Sequence, residues 1–252
     1  MTTYVYGIAA AAHPALPDGM DGIGDPAQKV RVLRRDGLAA LVSDSPDDLR
    51  PKRRDLLAHR SVLDEAGAGG PVLPMRFGSL AQDDDAVLAV LDDRCEHYEE
   101  RLRALEGKAE YNVKAAHDEQ AVLHQVLADS PELRAMVEAN QRAGGGSYEQ
   151  KLRLGEQVTA AVRAREAGDG AEVRRALEPH ADSVSAGPDG SGWLANVSFL
   201  VSRDRADGFV AAVEELRRDH PHLELRVHGP LPPYSFVDPG PARPADDPAG
   251  VG

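Results

Sequence analysis

Two apolar-rich runs, 30–35 and 38–43, meet at Asp36-Gly37. Asp-Gly between such runs is the strongest short-range signal for a two-residue β-hairpin, because the matching turn needs positive φ at both central residues. That hairpin commits the start of the chain to an antiparallel ladder. Residues 3–9 mix β-branched and aromatic side chains and read as a strand beside it. A loop follows, punctuated by Pro14, Pro17, Gly19, Gly22 and Gly24, too dense in breakers for a helix. Residues 52–65 place Leu56, Leu57, His59 and Leu63 on one helical face, glycines at 67–70 end that helix, and 72–77 read as another strand. The order β, loop, β, β, α, β is a split βαβ layout with its first helix replaced by a loop.

Residues 83–105 carry the best amphipathic stripe, formed by Val87, Leu91, Cys95, Tyr98, Leu102 and Leu105, and are predicted to form one helix. Aspartates 83–85 suit its N-terminal end, where the helix dipole favours negative charge. Residues 110–116 alternate as a strand. Helical patterns then cover 118–128, 131–143 and 148–167, with a Ser130-Pro131 start and a hinge at 144–146. Trp193, Ala195, Val197, Phe199 and Val201 line one strand face, 203–218 form a helix, and Leu223, Leu225 and Val227 alternate in a last strand. The second half thus repeats the split βαβ order, its first connection expanded into several helices. The expected architecture is α+β in two units, with domains at 1–106 and 107–238 and a disordered tail at 239–252, rich in Pro, Ala, Asp and Gly.

A chain of 252 residues is long enough for two such cores. Its 42 acidic against 29 basic residues give a net charge of −13, which argues against a nucleic-acid partner. No stretch approaches the roughly 20 apolar residues of a membrane span, and no basic n-region opens a signal peptide, so the expected compartment is the cytoplasm. The single cysteine, Cys95, forms no intramolecular disulfide and sits on an apolar stripe, where it reads as a small buried hydrophobe. Nine histidines invite a metal reading, but His222 and His228 on one extended strand stand about 20 Å apart, too far for one ion. His117 and His124 are split by a strand-to-helix break. No metal, cofactor or catalytic residue is assigned, and no nucleophile elbow or phosphate-binding glycine loop is present.

Two segments stand out. In Pro71-Val72-Leu73-Pro74-Met75-Arg76-Phe77-Gly78, prolines flank a strand and suit an edge, where no ladder donor is needed. Arg76 there either snorkels beside a core strand or meets a partner. In Gly229-Pro230-Leu231-Pro232-Pro233-Tyr234-Ser235-Phe236, three prolines make a stiff stretch that either docks back or presents a recognition surface; Tyr234 and Phe236 favour docking. Together with Tyr4-Val5-Tyr6-Gly7-Ile8, His59 with Leu63, and Glu110-Tyr111-Asn112-Val113-Lys114, these segments resemble the gas vesicle protein F/L family over residues 4–236.

The resemblance implies two modified ferredoxin-like units, the second elaborated by helices. It implies a non-enzymatic accessory protein of gas vesicles, located at the vesicle, that binds the small hydrophobic shell protein and other accessory components and assists nucleation. An apolar shell monomer would otherwise aggregate, and a soluble acidic partner shields it. Binding is expected near Pro74, Arg76 and Phe77, because an edge strand is a ready docking element. The reading from another class is a small-molecule binder or enzyme on two ferredoxin-like domains, which would require a pocket with convergent polar groups.

Overall fold

In a computed structural model, residues 2–14, 16–187 and 192–237 are described; the tail at 239–252 expected to be disordered lies outside them. Two compact units emerge, Met1–Glu110 joined by residues 231–237, and Tyr111–Pro230. The segment 231–237, assigned from sequence to the second domain, therefore groups with the first unit.

The first unit contains β1 (Thr3–Ala10), β2 (Asp21–Gly24), β3 (Ala27–Lys29), β4 (Arg31–Arg35), β5 (Leu38–Asp44), α1 (Arg53–Gly69), β6 (Val72–Pro74), β7 (Leu80–Ala81), α2 (Asp84–Asp93) and α3 (Cys95–Leu105). Its main sheet has the order β4-β5-β1-β6, with β7 also pairing β1. All the ladders are antiparallel. The Asp36-Gly37 turn has φ of 41° and 89°, the positive values a two-residue hairpin demands. Gly7 in the central strand is there for closeness: a Cβ would come within 3 Å of the Leu73 carbonyl oxygen and a Val72 methyl.

Tyr4, Tyr6, Ala9, Leu41 and Val72 of the sheet bury against Ile23 of β2 and Val62, Leu63 and Ala66 of α1. Of the helical face read from sequence, His59 and Leu63 are buried, whereas Leu56 and Leu57 remain 42% and 55% exposed. The buried stripe runs instead through Asp55, His59, Val62, Leu63 and Ala66. The loop after β1 carries the short β2–β3 hairpin, which the density of glycine and proline concealed. The long helix expected at 83–105 is two helices broken at Arg94, whose φ and ψ are −116° and 21°. Cys95 accordingly begins a new helix and is partly exposed rather than buried, its thiol 3.4 Å from the Asp36 carbonyl oxygen.

The second unit is built on β8 (Lys108–His117), whose first residues group with the first unit, followed by α4 (Glu119–Asp129), α5 (Pro131–Arg142), α6 (Tyr148–Leu177), β9 (Ser183–Ala186), β10 (Ala195–Ser202), α7 (Ala206–Asp219) and β11 (Leu223–Leu231). Its sheet order is β11-β8-β10-β9. Phe199 and Phe209 lie 5.3 Å apart and Tyr111 and Phe209 5.2 Å apart, so α7 packs on the sheet through aromatic contacts. The Ser130 and Ser147 side chains cap α5 and α6, the latter in a full capping box with Gln150. Helix α6 runs ten residues past the end read from sequence, straight through Gly168 and Gly170. Gly170 is no breaker here; a side chain would strike the Leu194 carbonyl oxygen. Burial of Val173 and Leu177 outweighs the modest helix cost of the two glycines.

The proline-rich segment is docked, not free. Tyr234 packs on the core of the first unit, and Phe236 and Val237 are buried. Between them Ser235 donates its N–H and its hydroxyl to the two carboxylate oxygens of Glu110, at 2.8 and 2.7 Å. Those two donors offset the cost of burying a carboxylate that is only 4% exposed. Phe236→Ala is expected to destabilise the chain by roughly 3 kcal/mol, the usual cost of truncating a buried aromatic. Thermal unfolding beside the parent chain measures it, and equal melting temperatures would show that the ring contributes nothing.

Candidate functional site

The first unit builds its site around His59, which α1 points into the sheet. Its Nε2 lies 3.1 Å from the Met75 carbonyl oxygen and its Nδ1 2.8 Å from the Tyr4 hydroxyl. A carbonyl only accepts, so Nε2 carries the proton, Nδ1 is the lone pair, and the Tyr4 hydroxyl donates to it. The same hydroxyl accepts from the Gly78 N–H at 3.3 Å. The turn is Arg76–Ser79, closed by the Ser79 N–H on the Arg76 carbonyl at 3.1 Å; Met75 leads into it and Gly78 lies within it, so the pair Tyr4 and His59 holds that turn from inside. Phe77 fits edge-on against both rings, at 5.8 Å from Tyr4 and 5.9 Å from His59.

Burial shifts both clamp groups toward their neutral forms. The Tyr4 phenol is pushed well above its ordinary range, chiefly by desolvation and partly opposed by the Gly78 hydrogen bond. The His59 imidazole is held below its usual value for the same reason. Neutral on both sides, the clamp is a pure hydrogen-bond chain. Beside it Tyr6 accepts from the Ile23 N–H at 2.9 Å and meets Ser43 Oγ at 3.0 Å, while the buried Asp55 accepts from the Gly24 N–H at 3.0 Å. These bonds fix the β2–β3 hairpin over the sheet.

The three residues named from sequence fall in different surroundings. Pro74 is buried at the end of β6, Phe77 is half-buried in the clamp, and Arg76 is exposed. The strand expected over 72–77 ends at Pro74, and Arg76 rides on the turn instead. Its guanidinium has no ion pair or hydrogen bond among the described residues. Proline at 74 has a clear reason. Met75 N–H donates to the Tyr6 carbonyl at 2.8 Å, so antiparallel alternation turns the main chain of Val72 and Pro74 away from β1, to the outer side of a buried last strand, where proline leaves no donor unmet.

The second unit holds a constellation that residue spacing did not reveal. His117 at the end of β8 and His222 at the entry to β11 both donate Nε2–H to Oδ2 of Asp169 on α6, at 2.8 and 3.1 Å. Arg165 Nε lies 3.4 Å from the same oxygen, and its Nη1 reaches Asp129 of α4 at 2.7 Å. Burial works against the Asp169 carboxylate, but the hydrogen bonds from His117 and His222 outweigh it and hold its pKa below the usual range. His222 is 1% exposed, and its Nδ1 has no hydrogen-bond partner among the described residues. Burial lowers its pKa against the opposing pull of Asp169. His222 belongs to this bond and not to a pair with His228. Among the described residues no group of three or more ligating side chains is placed to hold a metal ion, and no helix is long and apolar enough to cross a membrane.

What these arrangements do is shape surfaces and join elements. The chain is a two-unit α+β protein whose buried polar groups present a clamped surface turn. The family model described as gas vesicle synthesis protein GvpL/GvpF matches residues 2–238, and the chain belongs to that family. It is 67% identical over 238 residues to gas vesicle protein F of Streptomyces sp. strain CB03234, covering 94% of this chain and all of that one. It is 28% identical over 257 residues to gas vesicle protein L of the same strain, covering 93% and 92%. The crystal structure of GvpF from Anabaena sp. PCC7120 shares the fold at a TM-score of 0.71 and 24% identity, covering 94% of this chain and 98% of that one. Membership makes it a gas vesicle accessory protein.

Two outcomes test the geometry. Tyr4→Phe removes the hydroxyl that serves both His59 Nδ1 and the Gly78 N–H, and is expected to cost about 1–3 kcal/mol in a thermal or denaturant melt. A melt matching the parent would mean that the clamp contributes nothing. The second outcome concerns pH. Because the folded chain holds His59 and His222 below their ordinary 6.5, the unfolded chain binds those protons more readily. Their contribution is complete above 6.5 and is lost as pH falls through the depressed folded values. Melting temperature is expected to drop steadily on acidification below about pH 6.5, and less steeply in a His222→Gln chain. A flat profile for the parent over that range would refute the assignment.

Proposed function

We propose that this chain is a non-enzymatic accessory protein that binds the hydrophobic shell protein of the gas vesicle and assists nucleation and assembly, working in the cytoplasm and at the vesicle. The observation that carries the reading is the clamped turn. Arg76 stands exposed between half-buried Met75 and Phe77. A cation framed by apolar side chains suits a partner that is apolar yet carries an occasional carboxylate. Pro74, Arg76 and Phe77 share the work: Pro74 ends the strand, Phe77 anchors the turn and Arg76 makes the contact.

The scaffold fits the same reading. Both sheets place their strands so that the first strand of the unit lies between the third and the fourth, the order of a split βαβ or ferredoxin-like unit. On this view the first domain, which the sequence bounds at 1–106, is the binding domain. The second, bounded at 107–238, replaces its first helix with α4, α5 and α6.

Capture of co-expressed shell protein by the tagged full-length chain tests the function. Arg76→Glu is expected to lower capture by roughly tenfold, the scale of a reversed charge at an interface. Its melting temperature should stay with the parent, since the side chain is exposed. Equal capture by the variant would remove Arg76 from the binding surface, and no capture by the parent would overturn shell binding itself.

A further inference from the structure

Within the second unit, α4, α5 and the part of α6 up to residue 167 form a body of their own. They enclose a small core of Val122, Val126 and Leu133, and the apolar side chains packed on it, from Leu127 to Val162, belong to the same three helices. The two attachments of this body meet. His117, the last residue of β8, leads into it, and Gly168-Asp169-Gly170 follows it in α6. His117 Nε2 and Asp169 Oδ2 bond the two attachments to each other at 2.8 Å. His222, at the entry to β11, closes on the same point: its Nε2 lies 3.1 Å from Asp169 Oδ2, and its main-chain carbonyl accepts the Asp118 N–H at 2.9 Å.

A helix bends most readily where its propensity is lowest, and glycine stands on both sides of Asp169. Close approach of the Leu194 carbonyl oxygen accounts for Gly170, but a Cβ at Gly168 would meet nothing within 4 Å. Packing therefore does not ask for glycine at 168. Beyond the two glycines α6 is anchored by the buried Val173 and Leu177.

The weak point of this junction is His222. It gives its Nε2–H to a carboxylate, so its lone pair is on Nδ1, which is buried without a hydrogen-bond partner among the described residues. A proton added there makes a buried N–H with no acceptor. Asp169 attracts that proton, but the same carboxylate oxygen already serves His117 and has Arg165 Nε at 3.4 Å. Arg165 reaches back to Asp129 of α4, so one cation is already seated at the junction. The His117 and His220 rings stand 6.0 and 5.7 Å from the His222 ring, and neither brings a negative charge. Burial, Arg165 and His220 together outweigh Asp169 and keep His222 neutral to lower pH than an ordinary imidazole. We propose that residues 118–167 are a hinged flap, latched to the sheet of the second unit through Asp169, bending at Gly168–Gly170 and released when His222 takes up a proton. Parting α6 from the entry to β11 gives the new N–H water to donate to.

The flap and the body it leaves can be marked on the full chain by spin labels at Gln141→Cys on α5 and Glu215→Cys on α7, both exposed, in a Cys95→Ser background. At 1.5 Å per residue the arm from 148 to 167 is about 30 Å long, so a turn of roughly 10° at the hinge moves its tip about 5 Å. The distance measured by electron–electron dipolar spectroscopy is expected to be single at pH 7.5 and to gain a population displaced by about that much at pH 5, with helical circular dichroism retained. His222→Gln keeps a donor toward Asp169 without a titrating ring, and its distance should stay at the pH 7.5 value. Gly168→Ala stiffens the hinge and should reduce the displaced population. An unchanged distance in the parent at pH 5 would overturn the flap, as would a change that coincides with loss of helical circular dichroism. A parent-like response in His222→Gln would overturn the trigger, and one in Gly168→Ala the hinge.

Discussion

The neutral imidazole of His59 is the contact on which the first unit's surface depends. It joins a helix to the central strand and to the turn after an edge strand, through bonds that specify its tautomer at both nitrogens. Such a chain is cooperative: Tyr4 can accept from Gly78 and donate to His59 only because the imidazole is unprotonated at Nδ1. The rings of Tyr6 and Phe77 close the surroundings, Tyr6 stacked on His59 at 5.5 Å and Phe77 edge-on. Water is kept from the bonds, and low dielectric raises both their strength and the cost of losing one partner. A surface arginine thereby inherits the rigidity of a core it does not touch.

The second unit solves a similar joining problem with charge. Asp169 gathers His117, His222 and Arg165 on one carboxylate oxygen, so the start of β11, the end of β8 and the long α6 meet at a single acceptor. A buried carboxylate is tolerable only with such donors around it. Arg165 passes the connection on to Asp129, tying α4 to α6 over a small apolar core of Val122, Val126 and Leu133. With so few buried side chains, the helices between β8 and β9 draw much of their order from α6, and α6 draws its own from Val173, Leu177 and the Asp169 bond.

Much of this was legible in the residues, for identifiable reasons. Asp36-Gly37 marks its hairpin because the turn's positive φ is a local demand. The α+β class followed from periodicity alone, and Pro74 at an edge followed from its missing N–H. The misses are tertiary. Nothing local separates Leu56 from Leu63, yet one faces solvent and the other the sheet. Residues 83–105 keep an unbroken apolar stripe across Arg94, and Gly168 with Gly170 look like a stop inside a helix that packing carries onward. The clamp was half visible, because Tyr4 and His59 belong to motifs singled out by resemblance, but their bond spans 55 residues. The His117–Asp169–His222 contact joins residues 52 and 53 apart, beyond the reach of any spacing rule.

Charge is the context in which the proposed role of Arg76 has to be read, in a chain of net −13. In the first unit Arg31, Arg35, Arg50, Arg54 and Arg60 are each answered by an aspartate, so their charge is spent within the fold. Arg34, Arg53, Arg94, Arg103 and Arg76 have no such partner among the described residues, and of these Arg76 rides on a turn held from beneath by neutral groups, which neither cancel nor repel its field. Beyond about 8 Å at physiological salt that local cation is screened, and copies of this chain meet one another through their excess of acid. Mutual repulsion opposes self-association, and on the proposed function an apolar partner brought into contact meets a cation that is already oriented. On that proposal dispersal and capture act at different distances, which is how an acidic protein would shield an apolar one without joining its aggregates.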